Sequence, residues 1–364
     1  MSTNVLIEIS GHGFGHLMQI MPVAAALQKR LPDFEISVRS SLAPERLRHE
    51  VAKFGRFQVH CDAAPDFHPR MRNSYSVDTG ATIEACRGAF DAFETLVAAE
   101  QHFLDRGGFD LVVSDISPLP LAAAQRSGVP NVALCSLDWA ATLAFIPDLA
   151  APLQDVIERL RGIYNECDLF LRPAPHIGCA GASNCRPLGH IARIGANRRG
   201  EIGAAFGIDP DARLVMVSSG GMDGFPFAID IPKRAGLFWV LPDGLGAPAA
   251  DRQPVSALAR WAYIDILASL DVLVAKPGYG LIVEAVANGV PVASLERNGW
   301  VDVASLEAWG GEHGALCRIG MADIRTGAWA ADVERLAWGV RPKPYPPTGA
   351  EEAVERIASL LQPA

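Results

Sequence analysis

Short apolar runs alternate with longer segments of helical period from one end of this 364-residue chain to the other. Parallel strands buried on both faces read as continuous apolar runs, and each needs a crossover segment before its neighbour. The alternation therefore predicts an α/β fold with parallel sheets. Strand runs fall at residues 5–9, 35–39, 57–61, 111–114, 132–134 and 169–171, with helices over 17–30, 82–106, 120–127 and 152–167. A second series has strands at 214–218, 238–241, 272–275, 292–295 and 315–319, with helices at 279–288, 303–309 and 350–361. Residues 173–199, rich in Pro, Gly and small polar side chains, separate the two series and read as a linker. The length suits two domains better than one. We expect domains at 1–190 and 191–364, with the last helix packing back after the proline-rich segment 341–347.

Charge limits the partners. A formal net charge of −9 argues against nucleic acid and anionic membranes, which require a clustered basic face. Lysine occurs only at Lys29, Lys53, Lys233, Lys276 and Lys343, so Lys276, inside a glycine-rich turn, stands out. The seven cysteines (Cys61, Cys86, Cys135, Cys167, Cys179, Cys185 and Cys317) form no CxxC pair. They are expected to be structural thiols in a reducing compartment. The first residues lack the pattern of a secretion signal, and no stretch approaches about 18 unbroken apolar residues. A cytoplasmic location without an integral membrane segment is the expectation.

Two constellations carry chemistry. The first, Gly11-His12-Gly13-Phe14-Gly15-His16, follows the first strand and opens a helix, where glycines permit tight turns and close ligand approach. A dinucleotide fingerprint would need a small residue at His16 and an acid ending the second strand; that strand ends in Arg39, Ser40 and Ser41, where Arg39 would meet an NADP phosphate. The other reading presents His16 as a general base at the mouth of the sheet, with Asp115, at the end of the run 111–114, orienting it. The bland alternatives are a loop-shaping His12, a His16 without chemistry and an Asp115 that caps the next helix.

The second constellation runs from Lys276 through Gly278, Tyr279 and Gly280 to Glu284, a strand, glycine turn and helix start. Free amides and the helix dipole there suit a diphosphate, with Lys276 at the rim and Glu284 placed to accept ribose hydroxyls. Ser219, Gly220 and Gly221 form a second turn that can add amides.

With these residues assembled, the chain resembles the GT-B glycosyltransferases, including the peptidoglycan GlcNAc transferase and the UDP-glycosyltransferases of small acceptors. In those families a Gly-His loop ends the first strand, its histidine is the base and an aspartate partners it; His16 and Asp115 match. Lys276, Gly278 and Glu284 reproduce the spacing of the donor motif, and Trp261-Ala262-Tyr263 looks like the stretch that frames the base. A closer likeness is to the N-terminal, glycosyltransferase-like domain of plant L-arabinokinase, through its GHGFGH, SD-x-x-P and GYG-containing segments. The resemblance implies two Rossmann-like domains around a cleft and metal-independent transfer of a sugar, UDP-linked by expectation, to a small-molecule or lipid-linked acceptor. No cofactor beyond the nucleotide-sugar co-substrate is expected. The segment 295–302 lacks the Asp-Gln pair that reads the donor sugar in many relatives. A nucleotide-sugar hydrolase or epimerase of the same fold and a non-catalytic binding module are the rival readings.

Overall fold

The computed structural model describes residues 3–179, 182–220, 224–231 and 233–361. It contains two wholly parallel sheets. The first has strands β1 (Thr3–Ile9), β2 (Phe34–Ser40), β3 (Gln58–His60), β4 (Leu111–Asp115), β5 (Asn131–Leu134), β6 (Leu169–Pro173) and β7 (Cys185–Leu188). Their spatial order is β3-β2-β1-β4-β5-β6-β7. The second has β8 (Arg213–Ser218), β9 (Leu237–Leu241), β10 (Arg252–Pro254), β11 (Val272–Ala275), β12 (Val292–Leu295) and β13 (Leu316–Ile319), ordered β10-β9-β8-β11-β12-β13. Strand order reverses between β1 and β4 in one sheet and between β8 and β11 in the other. Crevices open at such reversals beyond the carboxyl ends of the strands. Both glycine-rich loops singled out in the sequence begin there.

Burial on both faces explains the apolar strands and exposes one exception. Glu8 in β1 is 2% exposed, and the register pairs it with Arg39 of β2. Arg39 Nε donates to Glu8 at 2.6 Å, and another guanidinium nitrogen reaches Glu100. Arg39 thus holds two buried carboxylates and is not free to meet a ribose phosphate, which removes the basis of the NADP reading.

Five helices position the site: α1 (Phe14–Arg30), α2 (Pro118–Ser127), α3 (Tyr279–Ala287), α4 (Val303–His313) and α5 (Gly349–Leu360). α5 belongs to the second half of the sequence but packs on α1, inserting Ala353, Val354 and Ile357 into the core of the first sheet. Its approach depends on glycine: a Cβ at Gly349 would lie 2.0 Å from the Gly189 carbonyl oxygen. The two halves also meet through Tyr279, whose hydroxyl donates to the Ala174 carbonyl at 2.9 Å and accepts the Ile191 amide at 3.1 Å.

Several local expectations need correction. The helix expected over 82–106 is two, Thr79–Asp91 and Phe93–Gly107, because Ala92 leaves helical geometry at φ −92°, ψ 7°. The break lets Phe93 and Val97 enter the core while Glu100 reaches Arg39. Inside the expected linker, Cys185–Leu188 pairs with β6 as an edge strand, its central residues exposed. Cys179 and Cys185 are not free thiols: their Cα atoms lie 5.8 Å apart and a disulfide joins them. The other five cysteines are free. No helix among the described residues is long and apolar enough to cross a membrane.

A candidate active site between the two sheets

β1 and β4 run in register so that Ile9 lies beside Asp115, and the chain leaves β1 directly into the His12–His16 turn. α1 begins at Phe14, which sets His16 in its first turn over the end of β4. His16 Nδ1 lies 2.9 Å from one Asp115 oxygen and 3.2 Å from the other. Asp115 is fully buried. A carboxylate can only accept there, so Nδ1 carries the proton and Nε2 keeps its lone pair. Burial alone would lower the His16 pKa; Asp115 outweighs it and holds the imidazole above its ordinary value.

Asp115 does not cap the following helix. Ser117 occupies that position, and the intervening Ile116 takes φ 72°, a left-handed value costly for a β-branched residue. The turn is held by Tyr164 Oη donating to the Ile116 carbonyl at 2.9 Å and Ser114 Oγ donating to that of Ser117 at 2.9 Å. Strain at this point aims Asp115 at His16. Cys135 Sγ lies 3.9 Å from His16 Nδ1, and these three side chains make the one cluster of possible metal ligands among the described residues.

His12 has a defined tautomer. Arg70 only donates, and its Nη1 lies 3.0 Å from His68 Nε2, so that nitrogen accepts. His68 then bears its proton on Nδ1, which faces the Pro69 carbonyl at 3.1 Å and His12 Nδ1 at 3.4 Å. His12 Nδ1 is left as acceptor and Nε2–H as donor. Burial, with His16 nearby, keeps His12 well below its usual pKa and hence neutral. Its ring stacks on Trp300 of the other half at 5.4 Å and 13°, and lies 5.7 Å from the His16 ring. Trp139 packs against both histidines at 5.3 and 5.2 Å, its buried indole nitrogen unpartnered among the described residues.

The opposite wall is built at the second reversal. Ala275 pairs with Ser218, and the Lys276 amide donates to the Ser218 carbonyl at 3.2 Å, joining the two glycine turns. Gly278 precedes α3 without any side-chain cap, leaving its first amides open. A Cβ at Gly278 or Gly280 would meet nothing within 4 Å, and the same holds at Gly13 and Gly15. Packing within the chain does not demand glycine at these positions, and a bare backbone there permits close approach from the cleft. Gly11 differs, since a Cβ there would strike the Ser41 hydroxyl. Gly220 adopts φ 80°, and its amide donates to Ser218 Oγ at 3.2 Å; Ser219 is buried beside it. Gly221 lies outside the described residues.

The Lys276 side chain has no ion pair or hydrogen bond among the described residues. Burial and the nearby Arg297 lower its pKa to about 7, against the pull of Asp302. Asp302 and Arg297 were not singled out in the sequence. Asp302 immediately precedes α4, makes no capping bond, and has one enclosed oxygen without a partner. Burial pushes its pKa up to about 6, while Arg297, His16 and Lys276 pull it down. Their signal was positional: both follow the carboxyl end of β12, one strand from the reversal.

Three expected donor residues are engaged otherwise. Glu284 is buried and paired with Arg193 of the linker through both oxygens. The Tyr279 hydroxyl serves the contact between the halves described above. Trp261 lies on the flank, its indole donating to Glu201 at 3.2 Å and its ring beneath Arg260.

No family model matches the chain. L-arabinokinase of Arabidopsis thaliana is 23% identical over 309 residues, covering 80% of this chain and 28% of that protein. The chain thus spans just over a quarter of the length of this curated relative. Among solved structures, Phytolacca americana UGT2 complexed with UDP-2-fluoro-glucose and pterostilbene has a TM-score of 0.59 at 12% identity, covering 98% of this chain and 94% of its own. A putative UDP-N-acetylglucosamine 2-epimerase from Listeria monocytogenes has a TM-score of 0.58 at 13% identity, covering 99% and 95%. The fold is GT-B.

Proposed function

We propose that this chain transfers a sugar from a nucleoside-diphosphate sugar, UDP-linked in our reading, to a hydroxyl acceptor. The observation that carries the proposal is His16 held by Asp115 at 2.9 Å on one wall, with the Lys276 ammonium, unpaired among the described residues, and the uncapped α3 amides on the other. His16 Nε2 takes the acceptor proton as the oxygen attacks the anomeric carbon; Asp115 stabilises the resulting imidazolium. The anomeric bond to the diphosphate breaks, and the departing charge is met by Lys276, the amides at Gly278, Tyr279 and Gly280, and the turn of Ser219, Gly220 and Gly221. His12 offers its Nε2–H to the substrate as an uncharged donor. Asp302 accepts from a sugar hydroxyl. The metal-independent route asks nothing of the His16, Asp115 and Cys135 cluster beyond proton transfer.

A second reading, hydrolysis or epimerisation of the nucleotide sugar, draws on Asp302. A carboxyl with a pKa of about 6 across the cleft from a histidine supplies a pair of acid–base groups on opposite faces. The structural likeness to a putative 2-epimerase is in keeping with it.

The test is to incubate the protein with UDP- and dTDP-sugars, with and without hydroxyl acceptors, and to follow release of the nucleoside diphosphate. Release that requires acceptor supports transfer. Free sugar or a new epimer without acceptor favours the second reading, and failure to bind any nucleoside diphosphate contradicts both.

A further inference from the structure

Two donors in the cleft remain unexplained. Arg297 is 6% exposed, forms no ion pair or hydrogen bond among the described residues, and has its Nε enclosed without an acceptor. Tyr75, on the first half of the chain, has an enclosed hydroxyl that is likewise unpartnered. The two are near enough to act on each other electrostatically, and burial holds the phenol in its protonated, donating form. A guanidinium has five N–H donors and no acceptor, and enclosing one without an anion is a severe cost for a purely structural residue.

Their position indicates what they face. Arg297 Cζ sits 4.3 Å above the Trp300 ring, Trp300 stacks on His12, and His12 lies 5.7 Å from His16. The stack thus runs from the proposed base to Arg297. Phosphate-type contacts have donors of their own in Lys276, which lies near Arg297, and in the uncapped first amides of α3. Among the described residues, Asp302 is the one carboxylate that acts on Arg297, and it forms no ion pair with it. Aromatic rings enclose the donors, Trp300 beneath Arg297 and Phe227 at 5.0 Å from Tyr75.

We infer that Arg297 and Tyr75 bind a carboxylate carried by the sugar-sized substrate beside His16, so that the reaction uses an acidic sugar of the uronate class. This rests on the nucleotide-sugar reading above. The planar fork of Nε–H and one terminal N–H matches a carboxylate edge, and the phenol supplies a third bond. The carboxylate belongs either to the sugar transferred or to its acceptor, and two arms of one experiment separate these.

In the donor arm, calorimetry compares UDP-glucuronate with UDP-glucose, which differ only at the sixth carbon; UDP alone is the control. In the acceptor arm, glucuronate and glucose are titrated into UDP-saturated protein. The expected result is a preference for the uronate of at least ~30-fold in one arm, falling to about one in Arg297→Gln. Tyr75→Phe, which keeps the ring packing, should reduce it about threefold. Far-ultraviolet circular dichroism checks that Arg297→Gln is folded, and an unfolded variant leaves Tyr75→Phe and the wild-type ratios to decide. UDP binding with no uronate preference in either arm, or a preference that survives Arg297→Gln, overturns this inference alone. Failure of UDP to bind overturns the nucleotide-sugar reading and this inference with it.

Discussion

Arg193 meets Glu284 twice, Nε to Oε1 at 2.5 Å and Nη2 to Oε2 at 3.0 Å, tying the connection between the two sheets to α3. Burial raises the Glu284 pKa even so. Arg193 orients this carboxylate and leaves lone pairs on both oxygens, which the proposed donor reading assigns to ribose hydroxyls.

Removing Arg193 strands that carboxylate. Arg193→Ala is expected to cost about 3–5 kcal/mol, the penalty for an uncompensated buried charge. Adding Glu284→Gln should recover part of the loss, because the charge is then gone. Urea unfolding of the two variants checks this; equal stability of the single and double variants would contradict it.

The Lys276 pKa of about 7 gives donor binding a pH dependence. The ammonium is the form that attracts a diphosphate, and it predominates below about 7. Affinity for UDP-glucose, whose diphosphate does not titrate in this range, should therefore weaken as pH rises from 6 to 8.5. At pH 8 binding should take up a proton, read by calorimetry in buffers of different ionisation enthalpy. Lys276→Met should abolish both effects.

Arg39 tests the core of the first sheet. It sits 1% exposed between Glu8 and Glu100, and burial raises Glu8 to about 8. Arg39→Met should destabilise the protein by about 3–5 kcal/mol, whereas Arg39→Met with Glu8→Gln and Glu100→Gln should lose less. Thermal unfolding distinguishes them.

His12→Phe keeps a ring against Trp300 but removes the Nε2–H donor. It is expected to lower kcat/KM about tenfold with stability changed by less than about 1 kcal/mol. Unchanged kinetics would reduce His12 to a packing role.

Much of this was legible in sequence because the relevant rules are local. Apolar runs and glycine turns marked eleven of the thirteen strands and brought His16 and Asp115 forward as a candidate pair, while the spatial order of the strands was not readable from them. The rest depends on contacts between distant residues. The Cys179–Cys185 disulfide and the edge strand lie in a segment without period, and Ala92 interrupts a helix without any Gly or Pro to announce it. Arg39 read as a phosphate ligand because its partner Glu100 is 61 residues away. Arg297 and Asp302 escaped notice because burial, not spacing, makes them unusual.

The most direct measurement is turnover by His16→Ala with a nucleotide sugar and acceptor that the wild-type protein uses. With UDP affinity retained within about threefold, turnover should fall by ~10²-fold or more, as expected for loss of a positioned general base. Turnover equal to that of the wild type would contradict the account.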